Sequence, residues 1–229
     1  MKKITLTLSL SLIISCNFIR DKSKIESVLK ELSQDYQTKV TYKVAAELSG
    51  GKNKKSIEIF LNKSSILEQY DDELFIPASN IALRLLKNNI NFDIYTIKIK
   101  KSNDKFFEIS YLNKYLLSLQ HKQALFNKID STILSRHYGK LYPHLDSLLL
   151  RKKVTKDNII QEFNDYDSIY GKPNQIITHG YSFGNIAIDN ALKKYSASFI
   201  LIKREKEDSK MSIYINNSND KIFSIEPRW

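Results

Sequence analysis

Residues 197–202 constrain the fold most strongly, because apolar side chains occupy both faces of a period-two pattern. One face carries Ala197, Phe199 and Leu201, and the other carries Ser198, Ile200 and Ile202. A strand with one face in water alternates apolar and polar positions, whereas a strand inside a sheet reads as nearly continuous apolar sequence. The segment is therefore predicted to be the central strand of a sheet.

The flanking sequence predicts further strands. Residues 175–181 are rich in β-forming side chains, residues 211–215 alternate again, and residues 222–225 are expected to form a last strand. Charged residues 205–209 and the Asn-rich run 216–220 separate them as turns. Short turns join neighbouring antiparallel strands, so the C-terminal part is predicted to be a meander.

Helices are predicted before this sheet. From residue 112 to residue 133 the apolar residues recur at steps of three, four or seven, and Tyr138-Gly139 follows as a closing or breaking signal. A shorter helix is expected over residues 142–150, with Pro143 near its start. Thr155 is expected to cap a last helix that stops near residues 170–173. The buried stripe of that helix is predicted to comprise Ile159, Phe163 and Tyr166.

The N-terminal half predicts a smaller α+β unit. A helix is expected over residues 24–35, followed by a hairpin of strands 40–48 and 57–61 around Gly50-Gly51. Pro77 opens a second helix that ends near residues 88–89. Two more strands are expected over residues 92–100 and 106–111.

The predicted fold class is α+β, with helices packed on an antiparallel C-terminal sheet. The predicted division is a leader (1–15), a tether (16–23), an N-terminal α+β unit (24–111) and a C-terminal unit of helices plus sheet (112–229). Amphipathic helices, then Tyr170-Gly-Lys-Pro173, then long antiparallel strands resemble the nuclear-transport-factor-2-like or cystatin-like class. This resemblance covers residues 113–229 and implies a sheet curved around a helix, often with a cone-shaped pocket.

The first sixteen residues have the pattern of an export signal. Lys2 and Lys3 precede an apolar run over residues 4–14, and Ser15 then precedes Cys16. About 20 apolar residues are needed to span a bilayer, so this run is too short to be the anchor. Residues 13–16 resemble a bacterial lipobox, which implies acylation of Cys16 and cleavage before it. The expected location is the cell envelope, with the protein held at a membrane by acyl chains on Cys16.

Cysteine content and charge limit the remaining possibilities. Cys16 is the only cysteine, so no disulfide is available and the exported domain must be stable through its core. The net charge is +11. Its basic residues are spread along the chain without interleaved base-stacking aromatics, which argues against a nucleic-acid partner.

Gly180-Tyr-Ser182-Phe-Gly184 matches the G-x-S-x-G nucleophile elbow. That arrangement needs a histidine further along the chain, and none follows Ser182. His179 lies three residues before Ser182, which in a regular strand places the two on opposite faces. Two glycines in a kinked or bulged strand are therefore the preferred interpretation.

Other chemistry-bearing residues give weaker patterns. His137, His144 and Asp146 could form a zinc site on a continuous helix, but Gly139 and Pro143 interrupt it. The acidic run 71–73 lacks the alternating ligands and the glycine of a calcium loop. No catalytic residue, metal ligand or cofactor is therefore predicted.

The sequence favours a non-enzymatic binding or accessory module whose partner is an envelope protein or a small ligand. His179 and Tyr181 are candidate pocket residues if the cone-shaped fold is right. A serine hydrolase that uses Ser182 and an inhibitor or immunity protein are the alternatives.

Overall fold

The computed structural model describes residues 22–49, 52–70, 73–188 and 191–228. The leader, Cys16 and all but residues 22–23 of the predicted tether lie outside these ranges. So do the two glycines at the hairpin turn and the first two residues of the acidic run 71–73.

The chain has the predicted α+β fold and divides into two compact units. Of the described residues, those within 22–74 and 81–116 form one unit, and those within 75–80 and 117–228 form the other. Among the described residues, no helix is long and apolar enough to cross a membrane.

The N-terminal unit contains a four-stranded sheet in the order β1-β2-β3-β4. Its elements are α1 (22–35), β1 (Val40–Ser49), β2 (Lys52–Asn62), α2 (Ser65–Glu68), part of α3 (Phe75–Lys87), β3 (Ile94–Lys100) and β4 (Phe106–Leu112). Strands β1 and β2 form the predicted antiparallel hairpin, and β3 pairs with β4 in the same way. Strands β2 and β3 are parallel, because α3 carries the chain back between them.

The core of this unit follows the sequence periodicity. The predicted stripe of α1 is buried, and so is one face of the sheet. The buried residues of these elements include Ile25, Val28, Leu29, Leu32, Ile57, Ile59, Leu61, Tyr95, Ile97 and Ile99. The other face of the sheet is mixed in polarity: Lys98 there pairs with Glu58 and Glu108 and lies over the ring of Phe60.

The C-terminal unit contains the predicted meander, β5-β6-β7-β8, in which all neighbours are antiparallel. Its elements are α4 (Asn113–Leu134, which begins in the first unit), a 3-10 helix (Tyr138–His144), α5 (Ser147–Arg151), α6 (Lys156–Tyr170), β5 (Pro173–Ile188), β6 (Ala191–Arg204), β7 (Ser209–Asn216) and β8 (Lys221–Arg228). Strand β6 is internal, as its sequence predicts.

Both faces of β6 are buried by packing within this unit. On one face, Tyr181 lies beside Ser198, and its ring lies 5.7 Å from that of Phe126 on α4. On the other face, Phe199 makes an edge contact with Phe75, at 5.5 Å between ring centroids. The apolar character of both faces therefore has a direct structural cause.

The prediction of one helix over residues 142–150 is wrong. The chain forms a 3-10 helix over Tyr138–His144, becomes extended at Leu145, and starts α5 only at Ser147. Pro143 has no amide hydrogen, which disfavours a regular α-helix through this segment. The amide of Asp146 instead donates to the carbonyl of Ile222 at 2.7 Å, where Leu145 forms a parallel bridge to β8.

Helix α6 begins and ends as predicted. The Thr155 hydroxyl accepts from the amide of Asn158, and the Asn158 side chain accepts from the amide of Thr155, so both residues form a capping box. At the other end Gly171 has φ of 83°, a left-handed value that favours glycine.

Candidate functional site

The C-terminal unit contains an apolar cavity of about 150 Å³. It is lined by the 3-10 helix, the segment around α5, helix α6 and strands β7 and β8. The lining residues are Leu141, Leu145, Leu149, Val154, Ile159, Glu162, Phe163, Tyr166, Met211, Ser224, Ile225 and Pro227. An engineered cavity of about this volume with an apolar lining stays dry and binds benzene or xenon.

The deep wall and the outer lining differ in exposure. Leu141, Leu145, Ile159, Phe163 and Met211 are buried. The outer lining is partly or fully exposed and contains the three lining residues with polar side-chain atoms, Glu162, Tyr166 and Ser224. An apolar interior with a few polar groups near the opening is the usual form of a small-ligand site.

Asp146 fixes the segment that carries Leu145. The Asp146 side chain is buried, and its Oδ2 accepts from Nδ2 of Asn216 at 2.9 Å and from Nδ2 of Asn219 at 2.8 Å. The hydrogen bond from the Asp146 amide to Ile222 holds the same segment against β8. Asp146 therefore has a structural role here.

On α6, the cavity-lining residue Phe163 is held in place by an aromatic stack. Phe163 stacks on Tyr138 with 4.6 Å between ring centroids. The Tyr138 hydroxyl donates to Oδ2 of Asp167 at 2.7 Å. Burial, and then this carboxylate, raise the pKa of Tyr138, so the phenol stays a neutral donor. The stack thereby links the cavity wall to the buried carboxylate of Asp167 and its arginine partners.

Asp167 is the centre of that cluster. Its Oδ1 accepts from Nη1 of Arg204 at 2.7 Å, and its Oδ2 also accepts from Nε of Arg136 at 2.8 Å. Arg204 donates further to the Ser209 hydroxyl and the Gly171 carbonyl. Among the described residues its Nη2 atom has no hydrogen-bond partner. These bonds join α6 to the turn between β6 and β7.

The sequence indicated part of this site for another reason. Ile159, Phe163 and Tyr166 were predicted as a buried stripe; the first two are buried, and all three line the cavity. Leu145 and Met211 carried no sequence signal for a site, because apolar residues in a pattern cannot distinguish a cavity wall from a filled core. Asp167 was missed because a carboxylate within a polar helix sequence looks exposed.

The G-x-S-x-G segment does not form a nucleophile elbow. Its five residues lie within β5, and Ser182 pairs with Ala197 of β6. An elbow requires a sharp turn from a strand into a helix, and here the strand continues to Ile188. The glycines are instead explained by the strand itself. At Gly180 an added Cβ atom would lie 2.1 Å from the carbonyl oxygen of Ile76, so a side chain has no room there.

His179 occupies a β-bulge. The sequence argument that His179 and Ser182 lie on opposite faces assumed a regular strand, so it does not apply here. Thr178 pairs with Ile200 and Gly180 pairs with Phe199, so His179 is the extra residue of the bulge. Burial, and then Lys210 and Lys203, lower the pKa of His179. Its carbonyl accepts from Nδ2 of Asn80 at 2.6 Å.

Tyr181 is buried, with 6% of its surface exposed. Its amide donates to the Ser79 hydroxyl at 2.8 Å. Neither Tyr181 nor His179 is among the residues that line the apolar cavity.

The histidines considered for zinc occupy separate positions. His137 is exposed and contacts the Ser135 hydroxyl, whereas His144 ends the 3-10 helix. Within the described part of the chain, no group of three or more histidine, aspartate, glutamate or cysteine side chains is arranged to hold a metal ion.

Asp130 on α4 is a further group that the sequence did not single out. Burial raises the pKa of its carboxyl to about 7, and Oδ1 has no hydrogen-bond partner among the described residues. It also raises the pKa of nearby Tyr181, for which burial is the larger cause. Asp130 as a residue is half-buried, and its raised pKa is expected to make the stability of the unit depend on pH.

Comparison of the chain with protein-family models, with curated proteins and with solved structures finds no match.

Proposed function

We propose that this chain is a lipid-anchored protein of the bacterial cell envelope that acts as a non-enzymatic binding module. Its ligand site is the apolar cavity between α6 and β8. The cavity is the observation that carries the proposal, because its interior is apolar and its polar groups lie in the outer part of the lining.

The proposed anchor is Cys16. Support for it comes from the cationic head, the short apolar run and the unique cysteine of the sequence. Two or three acyl chains would hold the protein stably at a membrane, because each buried methylene contributes about 0.8 kcal/mol.

Met211 provides a test of the cavity. It lines the cavity, and the only other methionine is Met1, which removal of the leader would eliminate. Labelling with carbon-13 at the methionine methyl should therefore give one resonance from the processed protein. Benzene should shift that resonance saturably, as expected for a ligand that enters the cavity.

A variant in which a larger side chain fills the cavity serves as the control. Val154→Trp places a large ring in the lining and should abolish the shift, whereas Lys152→Trp at a nearby exposed position should preserve it. If benzene leaves the Met211 resonance of the folded wild-type protein unchanged, the cavity is not a ligand site.

The anchor is tested separately. Radiolabelled palmitate should be incorporated into the wild-type protein, which should be recovered with membranes. Cys16→Ser should lose both properties. Recovery of an unlabelled Cys16→Ser protein in the membrane fraction would count against lipid anchoring through this residue.

A further inference from the structure

Strand β1 forms one edge of the N-terminal sheet, and its pairing with β2 is regular over its whole length. Ten consecutive residue pairs join the two strands without a bulge. No proline occurs between Val40 and Ser49, so every residue of the strand has an N–H group. The strand therefore presents an unbroken edge on the side that does not face β2.

The hydrogen bonds of β2 show which residues of β1 point outward. On the far side of β2, the Lys55 amide donates to Oδ2 of Asp93, and the Lys55 carbonyl accepts from the Asp93 amide. Ala46 pairs with Lys55, so the main-chain groups of Ala46 face away from β2. At the start of the strand, the Val40 amide likewise donates outward, to the Ser33 hydroxyl. Main-chain direction alternates along a strand, so the outward residues between these two are Tyr42 and Val44.

This edge is free along its middle. Among the described residues, no main-chain hydrogen bond outside the ladder involves Tyr42, Val44 or Ala46. Ala45 and Ala46 follow one another, so their side chains point to opposite faces of the sheet, and both residues are exposed. A helix or strand of the same unit lying against this edge would cover at least one of them.

Helix α1 flanks the start of the edge and leaves room beside it. Lys30 and Ser33 of α1 and Val40 and Tyr42 of β1 line an open groove. An extended segment that pairs with β1 therefore continues into this groove.

The charges of β1 are complementary to those of a second copy in one antiparallel register. A two-fold axis at Ala45 places Lys43 of each copy opposite residue 47 of the other, which is a glutamate. The same axis places outward residues opposite outward residues, so Val44 faces Ala46 and their main-chain groups can bond. A shift of the axis by one residue in either direction removes the charge pairs. Opposite charges that face each other across two strands are stabilising, whereas like charges are destabilising.

We infer that the protein forms a symmetric dimer in which the β1 strands of two copies pair antiparallel about an axis at Ala45. The two four-stranded sheets then join into one continuous sheet, and Lys43 lies opposite Glu47 of the other copy on both sides of the axis. Pairing removes an exposed edge whose N–H and C=O groups are otherwise a template for association. This inference goes beyond the proposed function and depends on neither the cavity nor the lipid anchor.

Disulfide formation tests the register. Every protein is the full chain with Cys16→Ser, so no acyl chain is attached and an introduced cysteine is the only thiol. A mild detergent keeps the apolar leader from causing association. Ala45→Cys places two thiols opposite each other at the axis, in a non-hydrogen-bonded pair whose Cα atoms lie about 4.5 Å apart. A disulfide spans that separation, so mild oxidation should give a covalent dimer on a non-reducing gel.

Thr41→Cys is the matched control, because Thr41 is exposed on the same face of the same strand as Ala45. In the inferred register Thr41 lies opposite Ser49, so the two Thr41 positions are about 27 Å apart along the strands. Thr41→Cys should therefore not cross-link. If Ala45→Cys gives no more covalent dimer than Thr41→Cys, the inferred pairing is wrong.

Sedimentation equilibrium measures the dissociation constant of the dimer without a cross-link. Lys43→Glu replaces two opposite-charge pairs by two like-charge pairs and should weaken dimerisation by about 10-fold or more. Adding Glu47→Lys to this variant should restore dimerisation, because opposite charges again face each other. Lys105→Glu makes the same change in net charge at an exposed position between β3 and β4 and should leave the dissociation constant nearly unchanged.

Two results would overturn the inference. One is a folded protein that stays monomeric at every concentration, and the other is a folded double variant that dimerises no better than Lys43→Glu. Circular dichroism establishes that each variant is folded before its mass is compared. Benzene binding near Met211 and palmitate labelling at Cys16 are measured independently, so failure of the dimer leaves the proposed function to its own tests.

Discussion

Oδ1 of Asp167 accepts a hydrogen bond from Nη1 of Arg204 at 2.7 Å, and the Arg204 side chain is completely excluded from solvent. Loss of one partner leaves the other charge buried without compensation. Such losses typically cost about 3–5 kcal/mol.

Asp167→Ala is therefore expected to lower the free energy of unfolding by about 3–5 kcal/mol. Urea denaturation followed by circular dichroism measures this change. Asp165→Ala lies on the same helix at an exposed position and should change stability by less than about 0.5 kcal/mol. Equal effects of the two substitutions would show that the buried cluster does not stabilise the fold.

Asp130 is expected to make stability depend on pH. Its pKa is raised from 3.8 to about 7, so the folded state binds this proton more tightly than the unfolded state. The stabilisation is complete below the unfolded pKa and is lost as the pH rises through the folded pKa. Melting temperature should therefore include a component that falls between about pH 4 and pH 7.

Asp130→Asn removes this titration. The variant should melt at a higher temperature than the wild type at pH 8, and the advantage should shrink towards pH 4. Asp165→Asn, at an exposed position, provides the comparison. A wild-type protein and an Asp130→Asn variant with parallel pH profiles would rule out the raised pKa.

Gly180 is expected to tolerate no side chain. An added Cβ atom would lie 2.1 Å from the carbonyl oxygen of Ile76, and backbone cannot move away as easily as a flexible side chain. Gly180→Ala should destabilise the protein by about 1–3 kcal/mol or more. Gly184→Ala is the matched control, because its nearest neighbours are side-chain atoms of Tyr195 at 3.1 Å. Its effect on the unfolding midpoint should be clearly smaller.

Thr155 is expected to stabilise the protein through its hydrogen bond at the start of α6. Thr155→Ala removes the hydroxyl that accepts from the Asn158 amide and should cost about 1 kcal/mol. Thr155→Ser keeps the hydroxyl and should retain most of the stability. Chemical denaturation of both variants measures the difference, and a serine variant as unstable as the alanine variant would assign the effect to the lost methyl group.

Much of the local structure followed from the sequence. Residues 197–202 predicted the central strand β6, and alternation predicted the β1–β2 hairpin, because side-chain period reports which backbone geometry can bury an apolar face. Thr155 and Gly171 marked the ends of α6, because caps are local interactions. The prediction over residues 142–150 was wrong because Asp146 bonds to a residue far along the chain.

The sequence by itself determined the fold class, the order of the eight strands and of the longer helices, and the pattern of the leader. Only the tertiary structure decided where apolar surface is left unfilled and which polar groups are buried. The cavity beside Ile225 and the buried Asp167–Arg204 pair depend on how distant segments pack. Apolar periodicity states that a face is covered, but it does not state how completely the covering side chains fill the space.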